Sequence, residues 1–195
     1  YGAPICMTKD ERDYLYNLSI TDERLSRVRD IFCFQCFVGC RVGDRITFTQ
    51  EDIINDTLVY YPNKTKSENR TPAKVPLSSK AKAILEKYDL PDGKLLPFIS
   101  DQKYNDYLKD LFSMAGLNRM VAKFNPLTME KEKIPLSQVA SSHLARRTFI
   151  HILHRNVKDS VIASMSGHVK GSKAFDRYYE VDDETRKDAI NKYLD

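Results

Sequence analysis

Apolar residues recur three and four positions apart along most of the chain, and this spacing is typical of amphipathic helices. Thr8 is a candidate N-cap, because acidic residues follow it in the first turn. Gly39 suits a left-handed C-cap at the end of a longer apolar run. The pattern predicts helices over 8–16, 22–38, 80–88, 102–116, 142–155, 158–166 and 182–194.

Three short stretches predict strands between the second and third helices. They are "RITFTQEDI" (45–53), "DTLVYYPNK" (56–64) and "AKVPLS" (73–78), with a polar tip, "KTKSENRTP" (64–72), between the last two. Residues 119–135 are expected to form a loop or an irregular hairpin. The expected fold class is α+β, mostly α-helical, with a small antiparallel three-stranded sheet.

A length of 195 residues and an apolar content of 42% fit one soluble globular domain with its own core. No run of eighteen apolar residues occurs and no signal peptide precedes the body, so we expect no membrane span. The first residue is Tyr1 rather than methionine. We therefore expect a piece of a longer protein whose upstream domains are absent.

The net charge of +4 is unevenly distributed. Residues 119–178 hold 11 Lys/Arg against 4 Asp/Glu, whereas residues 1–60 hold 7 against 10. A basic stretch of this kind indicates either a surface that faces an anion or a solvated basic face. Charge alone leaves both interpretations open.

Cys33, Cys36 and Cys40 lie on one face of the predicted second helix. A metal or cluster site would need a fourth ligand, and Cys6 is far away in sequence. We interpret the three thiols as small buried apolar groups in a reduced, intracellular protein.

The basic stretch contains His143-x-x-Arg146 at the start of a predicted helix. Ser141 or Ser142 can cap this helix, which places His143 in the first turn and Arg146 on the same face. The N–H groups of a first helical turn favour a phosphate. This short motif also arises by chance, and a polar helix edge explains it as well.

Other chemically suggestive residues stand before and after this helix. They are Arg41 just past the predicted helix end, Lys64 and Lys66 at the hairpin tip, Gly167-His168, and Tyr178-Tyr179. The order Arg, Lys, His-x-x-Arg, Gly-His, Tyr resembles that of the tyrosine recombinase (phage integrase) catalytic domain over nearly the whole chain. The matching stretches are "RVRDIFCFQCFVGCRVGDRITFTQEDI", "NKTKSENRTPAKVPLS", "SSHLARRTF" and "SGHVKGSKAFDRYYEVD". They look most like integrases of Bacteroides-type mobile elements such as conjugative transposons.

The resemblance implies a DNA transesterification that cuts and rejoins strands through a 3′-phosphotyrosyl link. The implied catalytic residues are Arg41 and Arg146 as phosphate clamps, His143 and His168 as supporting imidazoles, Lys64 as general acid and Tyr178 as nucleophile. No metal and no cofactor is implied.

Two of these assignments depend on alignment. The family usually places its nucleophile nine residues after the Gly-His histidine, where this chain has Arg177. Matching "AFDRYYEVD" to the family's aromatic-x-x-Tyr pattern selects Tyr178 and makes Tyr179 a packing residue, although Tyr179 remains the alternative. Lys64 fits the lysine position best, and Lys66 is its alternative.

The implied partner is double-stranded DNA, and accessory DNA-bending proteins are further implied partners. The full-length protein is expected to form a homo-tetramer on DNA, and this fragment is expected to be a monomer. The expected location is cytoplasmic, at the nucleoid when the protein acts. Alternatives to a recombinase are a type IB topoisomerase-like enzyme and a non-catalytic DNA-binding relative. A metal-dependent nuclease fits less well, because no Asp/Glu cluster of the two-metal kind is apparent.

Overall fold

The structure, a computed structural model, describes residues 4–63, 71–125, 127–154, 156–167 and 190–191. The helices in these ranges are α1 (Lys9–Asn17), α2 (Glu23–Val38), α3 (Val42–Arg45), α4 (Ser79–Leu85), α5 (Asp101–Met114), α6 (Leu136–Val139), α7 (Ser142–His154) and α8 (Asp159–Ser166). The strands are β1 (Ile53–Ile54), β2 (Thr57–Tyr60), β3 (Ala73–Pro76), β4 (Met120–Asn125) and β5 (Glu130–Pro135).

The first two helices begin and end where their capping residues predict. Thr8 and Glu11 form a reciprocal capping box at the start of α1, with N···O distances of 3.1 and 2.9 Å. The Asp22 carboxylate accepts a hydrogen bond from the Leu25 N–H at the start of α2. Gly39 ends α2 in the left-handed conformation with φ of +69°, so these predictions are confirmed.

Helix α2 is the central element of the core. It packs against α1, α4, α5 and α7. Most of its side chains are buried, including those of Cys33 and Cys36. Cys40, two residues past the end of α2, is also buried, and all three thiols are free. The interpretation of these cysteines as buried apolar groups is confirmed.

Strands β1, β2 and β3 form one antiparallel sheet in chain order. Leu58 and Tyr60 of β2 are buried, as are their partners Val75 and Ala73 of β3. The alternate residues of both strands are more exposed, which is the pattern of a sheet with one face on the core. The predicted fold class, mostly helical with a small three-stranded sheet, is confirmed.

The predicted strand over 45–53 is wrong for most of its length. Arg45 belongs to α3, and residues 50–52 form a single 3₁₀ turn. The turn forms because Thr49 and Asp52 cap each other, with the Thr49 N–H 2.7 Å from a carboxylate oxygen of Asp52. Only the two residues of β1 pair with β2.

Strands β4 and β5 form a regular antiparallel pair, where a loop or an irregular hairpin was expected. Strands β4 and β5 pair without a bulge, from Met120 opposite Pro135 to Asn125 opposite Glu130. Val121 is the buried residue of β4, and most of the hairpin is exposed on both faces. The apolar alternation that identifies strands is therefore nearly absent from this stretch, and the short helix α6 that follows was also not predicted.

Helices α4, α5, α7 and α8 confirm their predictions to within a few residues at each end. Of the predicted last helix over 182–194, residues 190 and 191 are described and are helical, and the others lie outside the described residues. None of the helices in the described ranges is long and apolar enough to cross a membrane.

Substituting Gly39 by alanine tests the close contact between α2 and α7. A Cβ at Gly39 would lie 2.3 Å from the Phe149 ring, and the backbone φ is also positive. We expect Gly39→Ala to lower the free energy of unfolding by about 3 kcal/mol in urea denaturation.

Two other glycines separate the two causes. Gly116→Ala adds only the positive-φ strain and should cost about 1 kcal/mol, because nothing lies within 4 Å of the new Cβ. Gly43→Ala has neither problem and should change stability by less than about 0.5 kcal/mol. Equal effects at all three positions would contradict the contact.

The buried cysteines Cys33, Cys36 and Cys40 should be unreactive in the folded protein. Burial raises the pKa of the Cys33 and Cys40 thiols to about 12, and burial raises that of Cys36 well above its usual value. At pH 8 the thiolate fraction at a pKa of 12 is on the order of 10⁻⁴. Iodoacetamide should therefore label these residues only after unfolding, as measured by mass spectrometry. If Cys33, Cys36 or Cys40 were labelled in the native protein faster than the partly buried Cys6, the prediction would be wrong.

Candidate active site

Arg146 of α7 lies where three segments of the chain meet. Its side chain is buried, with a relative exposure of 6%. The Nη1 group donates to the carbonyl of Gly39, at 2.7 Å, and to the carbonyl of Ser166, at 2.6 Å. Gly39 is the C-cap of α2 and Ser166 is the last residue of α8. One guanidinium group therefore connects the ends of two other helices.

Two glycines allow the backbone to approach closely at these helix ends. Gly39 lies against the ring of Phe149, one turn beyond Arg146 on α7. Gly167 ends α8 with φ of +64°, and a Cβ there would lie 2.5 Å from the Cγ of Pro62. Pro62 follows β2, so this contact brings the end of α8 against the chain that leaves the sheet.

Arg41 lies at the N-cap position of α3, two residues beyond Gly39. Its Nη1 is 4.0 Å from the Oδ2 of Asp44, whose side chain is 2% exposed. The other oxygen of Asp44 accepts a hydrogen bond from the backbone N–H of Asn63 at 2.9 Å. The side-chain amide of Asn63 also donates a hydrogen bond, from Nδ2, to the carbonyl of Gly43 at 3.2 Å. The turn that carries Arg41 is thereby bound to the residue that precedes Lys64.

His143 occupies the exposed side of the first turn of α7. The start of this helix is held from α5, because the Asn105 side-chain oxygen accepts a hydrogen bond from the Ser142 N–H at 2.8 Å. His143 and Arg146 lie one turn apart, as the motif predicts. They differ in exposure, since the histidine faces outward and the arginine is buried between helix ends.

The predicted residues Lys64, Lys66, His168, Tyr178 and Tyr179 lie outside the described residues. Two of them directly follow described anchor points, since Lys64 comes after Asn63 and His168 comes after Gly167. The described contacts bring Arg41 and Arg146 together with these two anchor points. No described contact bears on the position of the tyrosines.

Tyr60 is the described tyrosine next to the arginines, but its environment does not suit a nucleophile. It ends β2, is 5% exposed, and its hydroxyl has no hydrogen-bond partner in the described part of the chain. Burial raises the pKa of this hydroxyl far above its usual range, more than the nearby Arg146 and Arg41 lower it. The ring packs edge-on against Phe48, with centroids 4.8 Å apart, so Tyr60 is a neutral core residue.

The sequence interpretation missed the role of Asp44 and Asn63. The Asp44 carboxylate lies 4.0 Å from Arg41 and also accepts a hydrogen bond from the backbone of Asn63, directly before Lys64. The available signal was an acidic residue three positions after Arg41, directly before the strand predicted over 45–53. Among the described residues, no group of three or more His, Cys, Asp or Glu side chains is placed to hold a metal ion.

Comparison with known proteins identifies the fold. No protein-family model matches the chain, and no curated protein matches it by sequence. Among solved structures, the XerA recombinase superposes with a TM-score of 0.65 at 16% identity, covering 99% of this chain and 66% of that one. The Tn1549 transposon integrase in complex with circular intermediate DNA gives a TM-score of 0.63 at 12% identity, covering 95% of this chain and 64% of that one.

The catalytic core of lambda integrase is matched over most of its own length. The TM-score is 0.58 at 16% identity, covering 87% of this chain and 95% of the lambda core. The chain therefore has the fold of the tyrosine recombinase catalytic domain, and the resemblance inferred from the sequence is confirmed at the level of the fold. It spans about two thirds of the length of the XerA and Tn1549 proteins.

Replacing Arg146 should destabilise the fold through the helix ends that it holds. In Arg146→Ala the carbonyls of Gly39 and Ser166 lose a charged donor, which should lower the free energy of unfolding by about 3 kcal/mol. The matched control is Arg147→Ala on the same helix, because Arg147 makes no hydrogen bond to the described residues. Urea denaturation should show little change for the control. Equal effects of both substitutions would contradict the role of Arg146.

Proposed function

We propose that this chain, which has the fold of a tyrosine recombinase catalytic domain, is the C-terminal catalytic domain of a site-specific DNA recombinase. It would cut and rejoin DNA through a 3′-phosphotyrosyl intermediate, in the integration and excision of a mobile element. The observation that carries this proposal is the set of contacts around Arg146, which brings Arg41 and the residues before Lys64 and His168 to one place.

Arg41 and Arg146 are suited to grip the non-bridging oxygens of a phosphodiester. Guanidinium groups bind phosphate with paired, charge-assisted hydrogen bonds that lysine does not reproduce. The two carbonyl contacts of Arg146 hold its guanidinium in one orientation before DNA arrives. Donors that are held in place stabilise the charge of the transition state more than mobile ones do, and removing one typically lowers the rate by about 10²–10³.

The remaining steps are assigned to the residues that the family resemblance selects. The Tyr178 oxygen attacks phosphorus and His143 accepts its proton, which is needed because a tyrosine with a pKa near ~10 is a poor nucleophile at neutral pH. The bond to the 5′-oxygen breaks, and Lys64 protonates this leaving group. His168 donates a further hydrogen bond to the phosphate. The reverse attack by a 5′-hydroxyl of another strand releases the tyrosine and reseals the DNA.

Double-stranded DNA is the proposed partner, and the basic stretch over 119–178 supports this assignment. The Tn1549 integrase and the XerH recombinase are known in structures with DNA. By the same reasoning we propose a homo-tetramer on DNA for the full-length protein, helped by DNA-bending proteins. Its place of action would be the cytoplasm, where the chromosome lies. Phosphate contacts by Lys and Arg predict that binding weakens steeply with salt.

Covalent trapping tests the proposed chemistry and its nucleophile together. The full-length protein would be incubated, in EDTA, with nicked duplex DNA from the ends of its own element. The nick lets the cleaved fragment diffuse away, so a protein–DNA adduct should accumulate on a denaturing gel. Tyr178→Phe should abolish the adduct, whereas Tyr179→Phe, the matched control, should leave it in place.

Other outcomes identify the alternatives. Loss of the adduct in Tyr179→Phe alone would move the nucleophile by one residue. An adduct on any DNA sequence, with relaxation of supercoiled plasmid, would indicate a topoisomerase. DNA binding without any adduct would indicate a non-catalytic relative, and cleavage that EDTA abolishes would indicate a metal-dependent nuclease.

A further inference from the structure

Arg45 is a buried cation that has no counter-ion among the described residues. Its side chain is 2% exposed, and Arg45 is the largest fully buried residue in the described part of the chain. The Nε and Nη2 groups are buried and donate no hydrogen bond to any described residue. The side chain forms no ion pair there either, because the neighbouring Asp44 is directed to Asn63 and Arg41. A charge in this position is unusual in a protein core.

The surroundings of Arg45 are aromatic and neutral. Its guanidinium lies over the Tyr104 ring of α5, 4.8 Å from the ring centroid. The Tyr104 hydroxyl donates to the Gln35 side chain at 2.7 Å, and both residues are fully buried. The nearby thiols stay protonated, because burial raises the pKa of Cys40 to about 12. The ring face attracts the cation, but no described group neutralises it.

Arg45 is close to the residues of the proposed phosphate site. Its backbone N–H donates to the Arg41 carbonyl at 3.1 Å, so the two arginines are one helical turn apart. The positive charges of Arg45 and Arg146 both lower the pKa of the Cys40 thiol, although burial raises it more. Cys40 lies between Gly39 and Arg41 in the chain. Arg41, Arg45 and Arg146 therefore all lie near the end of α2, and Arg45 and Arg146 are buried.

An unpaired buried charge lowers stability, and a well-packed apolar side chain of similar volume commonly raises it. Packing alone therefore gives no reason for an arginine at this position. A charge in a region of low dielectric acts over a longer distance than a surface charge, because water and salt screen it less. A positive charge one turn from Arg41 raises the electrostatic potential where a phosphate would bind.

We propose that Arg45 is a positioning residue that acts through its charge, strengthening the binding of a phosphate group between Arg41 and Arg146 while lowering the stability of the fold. The inference rests on the proposed function in so far as that function supplies the phosphate. It concerns anion binding and not strand cleavage, so the two can be tested separately.

The test compares Arg45→Met, Arg45→Lys and the control Arg24→Met in the full-length protein. Arg24 also lies over a tyrosine of α5, Tyr107, at 4.6 Å, but it is 46% exposed and pairs with Asp110. Its substitution removes the same charge and the same kind of ring contact at the surface. Thermal unfolding would be measured with increasing inorganic phosphate, and binding to duplex DNA at low and moderate salt.

Arg45→Met should unfold at a higher temperature than the wild type without phosphate, because the uncompensated charge is gone. The same variant should bind phosphate and DNA about tenfold more weakly. Arg45→Lys, which keeps the charge, should bind phosphate within about twofold of the wild type. Arg24→Met should neither raise the unfolding temperature nor change phosphate binding by more than about twofold.

Several results would overturn the proposal. A lower unfolding temperature for Arg45→Met, or failure of this variant to fold, would mean that Arg45 serves packing. If Arg45→Lys weakened phosphate binding as much as Arg45→Met, the shape of the side chain and not its charge would matter. If phosphate did not stabilise the wild type, the proposed phosphate site would not exist. Absence of a covalent adduct, with the expected phosphate results intact, would instead reject the recombinase chemistry and leave the role of Arg45 standing.

Discussion

The site depends on the two hydrogen bonds from Arg146 to backbone carbonyls. A carbonyl at a helix C-terminus has no partner within the helix and carries part of the negative end of the helix dipole. Arg146 satisfies one such carbonyl at the end of α2 and another at the end of α8, at 2.7 and 2.6 Å. These two dipoles partly balance the positive charge of Arg146, which favours its burial between the two helix ends.

The same contacts bring together segments that are far apart in the sequence and that carry candidate residues of the site. Arg41 follows the first helix end by two residues, and the second is followed at once by Gly167-His168. Glycine at both ends removes the Cβ that would hold the segments apart, since Phe149 and Pro62 occupy that space. The close approach of the backbone at Gly39 and Gly167 therefore tolerates little change.

Features that are local in sequence could be predicted, and features that need two distant segments could not. The capping box at Thr8 and the left-handed Gly39 follow from neighbouring residues, and both were predicted. The bond between Asp44 and Asn63 joins residues 19 apart, and no local pattern announces it. The sequence left a loop and an irregular hairpin open for 119–135, and the regular pairing of β4 with β5 was not predicted because these strands are mostly exposed and have almost no apolar alternation. The order of the candidate residues was informative since it does not depend on local structure at all.

Arg146 and Arg45 are buried arginines with different partners, and we expect their charges to have opposite effects on the stability of the fold. Both are buried, yet Arg146 donates to two helix-end carbonyls while Nε and Nη2 of Arg45 donate to none of the described residues. We expect the first charge to stabilise the fold, because it donates hydrogen bonds to carbonyls at two helix ends. The second works against the fold, because the ring of Tyr104 compensates only part of its desolvation. The phosphate that we propose to bind between Arg41 and Arg146 would bring a negative charge close to the turn that carries Arg45, whose Nε and Nη2 have no partner in the described part of the chain.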